Sequence, residues 1–172
     1  MYVKIINRKD VKMSEMMQKI TPHLAFNDQA EEAVNFYVSI FKNSKVVNVT
    51  RYGEGEPGPA GTVRTVRFQL DDQELMAVNG GPSFKFSAGI SLYVRCETQE
   101  EIDELWEKLS EDGEKEPCGW VKDKYGVFWQ IAPSFAWEMV NDPDREKSQR
   151  VVKATYNMEK LDTETLKRAY KG

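Results

Sequence analysis

The sequence predicts an α+β fold with two tandem βαβββ modules and a C-terminal helical tail. The two modules are predicted from a repeat: a helical pattern with paired glutamates in its first turn begins near Glu31 and again near Glu100, 69 residues later. Short apolar runs typical of strands precede and follow each helical pattern. After Pro133 the apolar residues take helical spacing, which predicts the tail.

The first module is assigned to residues 18–82, and residues 1–17 form a mixed, charged segment. We interpret that segment as a weakly ordered extension, or as an upstream start of the same protein. A capping-box-like Asp28-x-x-Glu31 predicts the beginning of the first helix. The strands of this module are predicted over residues 20–26, 46–52, 62–70 and 74–78, with a flexible glycine-rich loop over residues 53–61.

The second module is assigned to residues 83–133 and follows the same plan. A strand is predicted over residues 90–94, and Thr98-x-x-Glu101 is a capping box for the next helix, which Gly113 is expected to end. Two apolar-aromatic runs flank Asp123-Lys-Tyr-Gly126, which predicts a hairpin with Gly126 at a position of positive φ. The apolar stripe of the helix consists of Ile102, Leu105, Trp106 and Leu109.

The tail, residues 134–172, is predicted to contain three helices. The first is short and ends near residue 140. Asp142 is expected to cap the second, because Pro143 suits the first helical position, and Asp162 is expected to cap the third. These helices would pack on a partner or brace the sheet.

Composition limits the function classes. Hydrophobic residues make up 40% and charged residues 30%, which indicates a soluble globular protein. The net charge of −4 without a basic cluster argues against nucleic acid as a partner. No apolar run reaches the roughly 18 residues of a membrane span and no signal peptide opens the chain, so we expect no membrane association and a cytoplasmic location. Cys96 and Cys118 are expected to be free thiols, and the single histidine, His23, excludes a histidine-rich metal site.

Several segments resemble a known family, and the resemblance spans residues 18–172. They are PHLAF at 22–26, EAVNFY at 32–37, GGPSFKF at 80–86, CGWVKDKYGVFWQI at 118–131, and the tail from residue 142 onward. They are similar to the PhnB-like branch of the vicinal oxygen chelate superfamily, which includes glyoxalase I and the bleomycin resistance proteins. The resemblance implies paired modules whose sheets curl around a cavity, usually in a homodimer.

That branch is often labelled 3-demethylubiquinone methyltransferase-like, and the residues do not support the label. A methyltransferase that uses S-adenosylmethionine normally has a glycine-rich turn between a strand and a helix. The glycine cluster of this chain, residues 53–61, leads into a predicted strand. We therefore expect no methyltransferase activity.

The resemblance also indicates where a metal would bind. In metal-dependent relatives the first and last strand of each module each supply one ligand, typically His or Glu. Matching Leu24 with Leu92, and the two last hairpins with each other, gives the quartet His23, Met76, Ser91 and Gln130. Glu74 is an alternative to Met76, because residues two apart on a strand share a face. Only His23 suits a hard or borderline divalent ion, so we predict no bound metal and no other cofactor.

The ligand-pocket candidates are thus polar or aromatic residues of these strands, and each has a purely structural alternative. Cys118 could be a reactive thiol or a buried apolar residue. Arg64 and Arg67 could bind an anion or be solvated surface charges. The pocket candidates are His23, Glu74, Met76, Ser91, Trp120, Phe128 and Gln130. Five aromatic residues are expected mostly in the core, and two or three of them are candidates for a pocket wall: Phe84, Phe86, Trp120, Phe128 and Trp129.

Three functions stay open at this point. The first is a metal-free protein that binds an apolar small molecule. The second is an enzyme of the vicinal oxygen chelate type, such as a lyase, isomerase or dioxygenase, that uses a weakly bound or substrate-completed metal. The third is a dimerising interaction module without a ligand. In each case we expect a homodimer, because the hydrophobic content exceeds what one small two-module sheet easily buries.

Overall fold

The computed structural model describes residues 18–172, so the extension expected for residues 1–17 lies outside the described residues. The chain divides between Phe84 and Lys85 into two compact units. The tail helices belong to the second unit. No helix between residues 18 and 172 combines the length and apolar character that crossing a bilayer requires.

The first unit is a βαβββ module, as predicted. Its sheet has the strand order β1-β4-β3-β2, in which β1 runs parallel to β4 and the other neighbouring strands are antiparallel. The helix packs on one face of the sheet, where Phe68, Leu75 and Tyr37 are fully buried. Its elements are β1 (His23–Phe26), α1 (Ala30–Ile40), β2 (Lys45–Arg51), β3 (Val63–Leu70) and β4 (Gln73–Asn79).

The beginning of α1 differs from the prediction. Asp28 does not cap the helix: the N-cap position falls on Gln29, whose side chain makes no capping hydrogen bond. Instead the Asn79 side chain, at the end of β4, accepts a hydrogen bond from the Ala30 N–H at 2.9 Å. A distant strand end therefore satisfies this helix terminus, which local spacing does not reveal.

The second unit repeats the topology and adds the tail. Its sheet has the order β5-β8-β7-β6, again with the first strand parallel to the last, so the duplicated βαβββ plan is confirmed. Neither four-stranded sheet closes into a barrel. The elements are β5 (Leu92–Cys96), α2 (Gln99–Ser110), β6 (Glu114–Lys115), a 3-10 turn (Pro117–Gly119), β7 (Trp120–Lys122), β8 (Phe128–Pro133), α3 (Ala136–Val140), α4 (Arg145–Tyr156) and α5 (Thr163–Lys171).

Helix α2 forms as its sequence predicts at the beginning but not at the end. The Thr98 hydroxyl accepts from the Glu101 N–H at 3.2 Å, and the predicted apolar stripe is buried. Asp112, not Gly113, takes the positive φ after the helix, at 56°. Gly113 has another role: a Cβ at this position would collide with the backbone carbonyl of Lys122 in β7. Glycine is thus needed for the close approach of two backbones rather than for the helix end.

Asp123 organises the predicted β7–β8 hairpin. Gly126 has φ 88°, as expected for the turn. The Asp123 carboxylate is buried and accepts hydrogen bonds through both oxygens: Oδ1 from the N–H groups of Tyr125 and Val127, both at 2.9 Å, and Oδ2 from the Trp129 indole at 2.8 Å. One side chain thereby satisfies the turn backbone and anchors a core tryptophan.

The tail packs against the end of β8. Asp162 caps α5 as predicted, but Asp144 rather than Asp142 caps α4. Asp142 instead accepts hydrogen bonds from the Tyr170 hydroxyl and the Asp144 N–H, which lower the pKa of its carboxyl below the usual value. A buried cluster joins the tail to the strand, formed by Ala132, Ala136, Val151, Leu161 and Leu166.

The segment between α4 and α5 also binds the 3-10 turn through its backbone. The Cys118 N–H donates to the Met158 carbonyl at 2.8 Å, and the Gly119 N–H donates to the Glu159 carbonyl at 2.6 Å. Cys118 and Gly119 both have positive φ, at 64° and 80°. The tail therefore holds this turn in a backbone conformation that a non-glycine residue such as Cys118 rarely adopts.

Candidate functional site

The second unit contains a pocket of about 610 Å³ between the open face of its sheet and the tail helices. Strands, the 3-10 turn and two tail helices all contribute to it. Its lining consists of Ala88, Tyr93, Glu116, Pro117, Cys118, Trp120, Gln130, Ala132, Ala136, Trp137, Val140, Val152, Thr155, Tyr156 and Leu161. Most of these side chains are apolar or aromatic, and few are polar.

Three neighbouring strands place one row of side chains on the pocket floor. Tyr93 of β5 lies beside Gln130 of β8, and Gln130 lies beside Trp120 of β7. Gln130 interrupts a strand whose other residues are buried, as its position in an apolar-aromatic run predicts. An amide between two aromatic rings can orient a ligand that is otherwise held by apolar contact.

The Gln130 amide has one hydrogen-bond partner among residues 18–172. Its Nε2 donates a hydrogen bond to the Ser91 hydroxyl at 2.8 Å, so Ser91 supports the floor although it does not line the pocket. Among the residues that the structure describes, no donor reaches Gln130 Oε1. This oxygen is therefore available to a donor on a ligand.

Two weakly acidic groups of the lining, the Tyr93 phenol and the Cys118 thiol, are held in their protonated forms. Burial raises the pKa of the Tyr93 phenol, and burial likewise raises the pKa of the Cys118 thiol. A nucleophilic cysteine needs a lowered pKa, so the geometry does not support the reactive-thiol alternative for Cys118. Both groups can act as neutral hydrogen-bonding groups at physiological pH.

The tail supplies the wall that sequence reasoning missed. Trp137 of α3 and Tyr156 of α4 line the pocket and remain 68% and 72% exposed. Both residues lie on amphipathic helices but not on the buried face of the helix. This exposed position is the signal in the sequence that could have identified them. A large exposed aromatic residue on such a helix suggests contact with something other than the core.

Three of the predicted site residues, His23, Glu74 and Met76, lie in the first unit and do not line this pocket. His23 is exposed on β1 beside Met76 of β4. Glu74 is buried and forms an ion pair with Arg67 at 2.5 Å. Arg67 is thereby neutralised inside the protein, and Arg64 forms a surface pair with Glu56, so neither arginine supports the anion-binding alternative.

The aromatic residues with predicted positions differ in how deeply they are buried, as Phe128, Trp129 and Phe84 show. Phe128 is buried in β8 and is not part of the lining. Trp129 is buried in the core as expected. Phe84, predicted to be mostly core, is 54% exposed, and the prediction is wrong for this residue. Phe84 lies in a turn-rich stretch after β4, where no strand or helix presents it to an apolar face.

The register of the strands also corrects the matching of the modules. His23 is paired with Met76, whereas Gln130, the counterpart of Met76, is paired with Tyr93. Tyr93 therefore corresponds to His23, and the match to Ser91 is wrong by two residues. The strand predicted over residues 90–94 begins at Leu92, which accounts for the shift.

The residues at the metal-ligand positions do not fit a divalent ion. By topology these positions carry an imidazole, a thioether, a phenol and an amide, in His23, Met76, Tyr93 and Gln130. Carboxylate and further imidazole ligands, which hard or borderline metals prefer, are lacking from this set. Over residues 18–172, no group of three or more His, Cys, Asp or Glu side chains is placed to hold a metal.

Comparison with known proteins identifies the family. Residues 18–132 match the family described as 3-demethylubiquinone-9 3-methyltransferase, which is the PhnB-like branch of the vicinal oxygen chelate superfamily. The chain belongs to this PhnB-like family. No curated protein matches it.

Three solved structures are similar to the chain, and the first of them is described as a PhnB protein. The chain is 44% identical to a putative 3-demethylubiquinone-9 3-methyltransferase, PhnB protein, from Bacillus cereus, with a TM-score of 0.60, over 66% of this chain and 98% of that one. Protein PA1353 from Pseudomonas aeruginosa is 22% identical, with a TM-score of 0.57, over 68% of this chain and 98% of that one. A lactoylglutathione lyase from Agrobacterium tumefaciens is 16% identical, with a TM-score of 0.36, over 69% and 96%.

The PhnB-like match contains the sheet side of the pocket but not its tail side. The matched range ends at residue 132, so it does not include the tail, to which sequence analysis extends the resemblance. Trp120 and Gln130 lie inside the matched range, and Trp137 and Tyr156 lie beyond it.

Proposed function

We propose that this PhnB-like protein binds an apolar small molecule, without a metal, in the pocket of its second unit. The observation that carries the proposal is the pocket itself: about 610 Å³, with an apolar-aromatic lining and few polar groups. Ligand sites in proteins typically have this size and this composition. Gln130 and Tyr93 on the floor would orient the ligand.

The pocket offers little support for covalent catalysis or methyl transfer. Its thiol is held in the protonated form, and no histidine or lysine lies in the lining to activate a nucleophile, which leaves the Glu116 carboxylate as the candidate general base. The glycine-rich loop lies between β2 and β3 and so joins two strands rather than a strand and a helix. A vicinal oxygen chelate-type enzyme that acts with a metal stays the alternative.

Filling the pocket tests the binding proposal. Thr155 of α4 lines the pocket, and Lys153 is exposed on the same helix outside the lining. Compounds that raise the thermal midpoint of the natural protein are expected to lose this effect in Thr155→Trp and to keep it in Lys153→Trp, because only the first indole would occupy the pocket. Equal stabilisation of both variants would place the binding site elsewhere and contradict the proposal.

Metal analysis distinguishes binding from metal-assisted catalysis. We expect untagged protein to contain far less than one manganese, iron, nickel or zinc ion per chain, since the donor set is neutral and partly soft. The measurement is elemental analysis followed by titration with each metal. One metal per chain that is lost in His23→Ala and bound more tightly in Gln130→Glu would favour the enzyme alternative instead.

A homodimer in the cytoplasm remains part of the proposal. Large apolar side chains that lie outside the pocket are solvent-exposed in the single chain, with Ile20 at 85%, Ile90 at 75% and Phe84 at 54%. A second copy could cover such residues. Light scattering at micromolar concentration is expected to give twice the mass of one chain, and a monomer would contradict the dimer.

The cytoplasmic location is supported by the cysteines. Both cysteines are free, which suits a reducing compartment.

A further inference from the structure

The charge of the pocket restricts which small molecules it can hold. Glu116 carries the only formal charge among the lining residues, and no lysine or arginine is among them. The Glu116 carboxylate makes no hydrogen bond or ion pair with any residue between 18 and 172. The charge of the nearby Lys122 interacts with that of Glu116, but the Lys122 ammonium forms its ion pair with Glu114, at 2.7 Å. A negative charge therefore lines the pocket without a directly paired counter-ion from residues 18–172, and Lys122 offsets it only in part.

Aromatic rings surround the same space from four different elements. Tyr93 comes from β5, Trp120 from β7, Trp137 from α3 and Tyr156 from α4. The faces of aromatic rings are electron-rich and attract cations, most strongly when the ring is tryptophan. Because Tyr93 keeps its proton, its ring takes part as a neutral phenol that brings no further charge.

A second positive side chain, besides Lys122, lies near the pocket. Arg95 follows Tyr93 by two residues on β5 and is exposed, and its charge acts on the Tyr93 phenol. Its side chain is not part of the lining. Arg95 would weaken the binding of a cation near Tyr93, so the attractive contacts must come mainly from Glu116 and the tryptophans.

From these features we infer that the pocket binds an organic cation, namely an apolar or aromatic body that carries a quaternary or tertiary ammonium group. The apolar body would pack on Ala132, Val140 and Val152 of the lining. The ammonium group would lie among the aromatic rings, within the field of Glu116. This arrangement excludes anionic ligands, which would meet an unpaired carboxylate. The inference rests on the proposed function, because it names the ligand class of the same pocket.

Three probes of similar size test the inference: benzyltrimethylammonium, neutral N-benzylacetamide and anionic phenylmethanesulfonate. Binding is measured through tryptophan emission, since Trp120 and Trp137 both line the pocket. We expect the cation to bind at least about tenfold more tightly than the neutral probe, and the anion to show no saturable binding.

Two matched variants identify the source of the preference. Glu116→Gln is expected to weaken cation binding roughly three- to tenfold and to leave the neutral probe unchanged, in line with one partly solvated charge. Glu138→Gln changes the same charge on α3 outside the lining and is expected to leave all three probes unaffected. Trp137→Leu is expected to weaken the cation more than the neutral probe.

The failures of the two proposals are distinguishable. Equal affinity for all three probes, or equal effects of Glu116→Gln and Glu138→Gln, would overturn the organic-cation inference while small-molecule binding stands. Preference for the anion would overturn it as well. No binding of any probe, together with no difference between Thr155→Trp and Lys153→Trp in the thermal assay, would overturn both.

Discussion

Replacing Asp123 with alanine is expected to lower the free energy of unfolding of the second unit by about 3 to 5 kcal/mol. The substitution leaves the N–H groups of Tyr125, Val127 and Trp129 without the carboxylate that accepts from all three. Each buried donor that loses its partner costs roughly 1–3 kcal/mol. Urea denaturation followed by tryptophan emission measures the effect, because all four tryptophans lie between residues 106 and 137.

Two further substitutions sharpen the Asp123 experiment. Glu138→Ala, at an exposed carboxylate of the same unit on α3, is expected to change stability by less than about 0.5 kcal/mol. Asp123→Asn would turn an amide N–H toward the Trp129 indole N–H, so that two donors face each other and stability falls. A double variant with Trp129→Phe removes the indole donor and is expected to recover part of this lost stability, because the two sites are neighbours and their effects are coupled. A cost for Asp123→Ala no larger than that for Glu138→Ala would show that the carboxylate does not organise the hairpin.

Replacing Arg67 with alanine is expected to destabilise the first unit by about 3 to 5 kcal/mol. The Glu74 side chain is only 9% exposed, and its Oε1 accepts from Arg67 at 2.5 Å. Its Oε2 is buried without a partner among the described residues. Removing the guanidinium leaves a buried carboxylate uncompensated, which is the costly way to break such a pair.

The Arg67 experiment needs a probe that reports on the first unit. Residues 18–84 contain no tryptophan, so the backbone signal in far-ultraviolet circular dichroism is expected to shift more than tryptophan emission. Arg64→Ala, which breaks the exposed pair with Glu56, is expected to cost at most about 1 kcal/mol. A double variant, Arg67→Met with Glu74→Leu, is expected to recover most of the loss, because it removes both charges. A cost for Arg67→Ala equal to that for Arg64→Ala would contradict the buried-pair interpretation.

Features that depend on nearby residues could be predicted from the sequence. The β7–β8 hairpin follows from a glycine at a turn between two apolar runs, and the capping of α2 by Thr98 follows from a polar residue three positions before a glutamate. The module repeat is visible because the same local patterns recur in the same order. These features depend on short stretches of chain and on backbone conformation, both of which the sequence expresses directly.

Features that depend on distant contacts could not be predicted in this way. Asp142 and Asp144 both lie where a helix cap is expected, and the bond from Tyr170, 28 residues away, leaves Asp144 as the cap. Asn79 caps α1 across 49 residues. The pocket wall of Trp137 and Tyr156 exists only because the tail folds back on the sheet. Gln130 could be found by its isolation in an apolar strand, whereas Glu116 gave no local signal.

The backbone bonds of the 3-10 turn make the tail part of any binding event. The turn that contains Cys118 lines the pocket, and its amide is held by the carbonyl of Met158. The Cys118 and Gly119 amides can exchange hydrogen with solvent only when the tail segment releases them. A ligand that contacts both the turn and α4 would slow this exchange, so these two amides would record occupancy of the pocket and docking of the tail in a single signal.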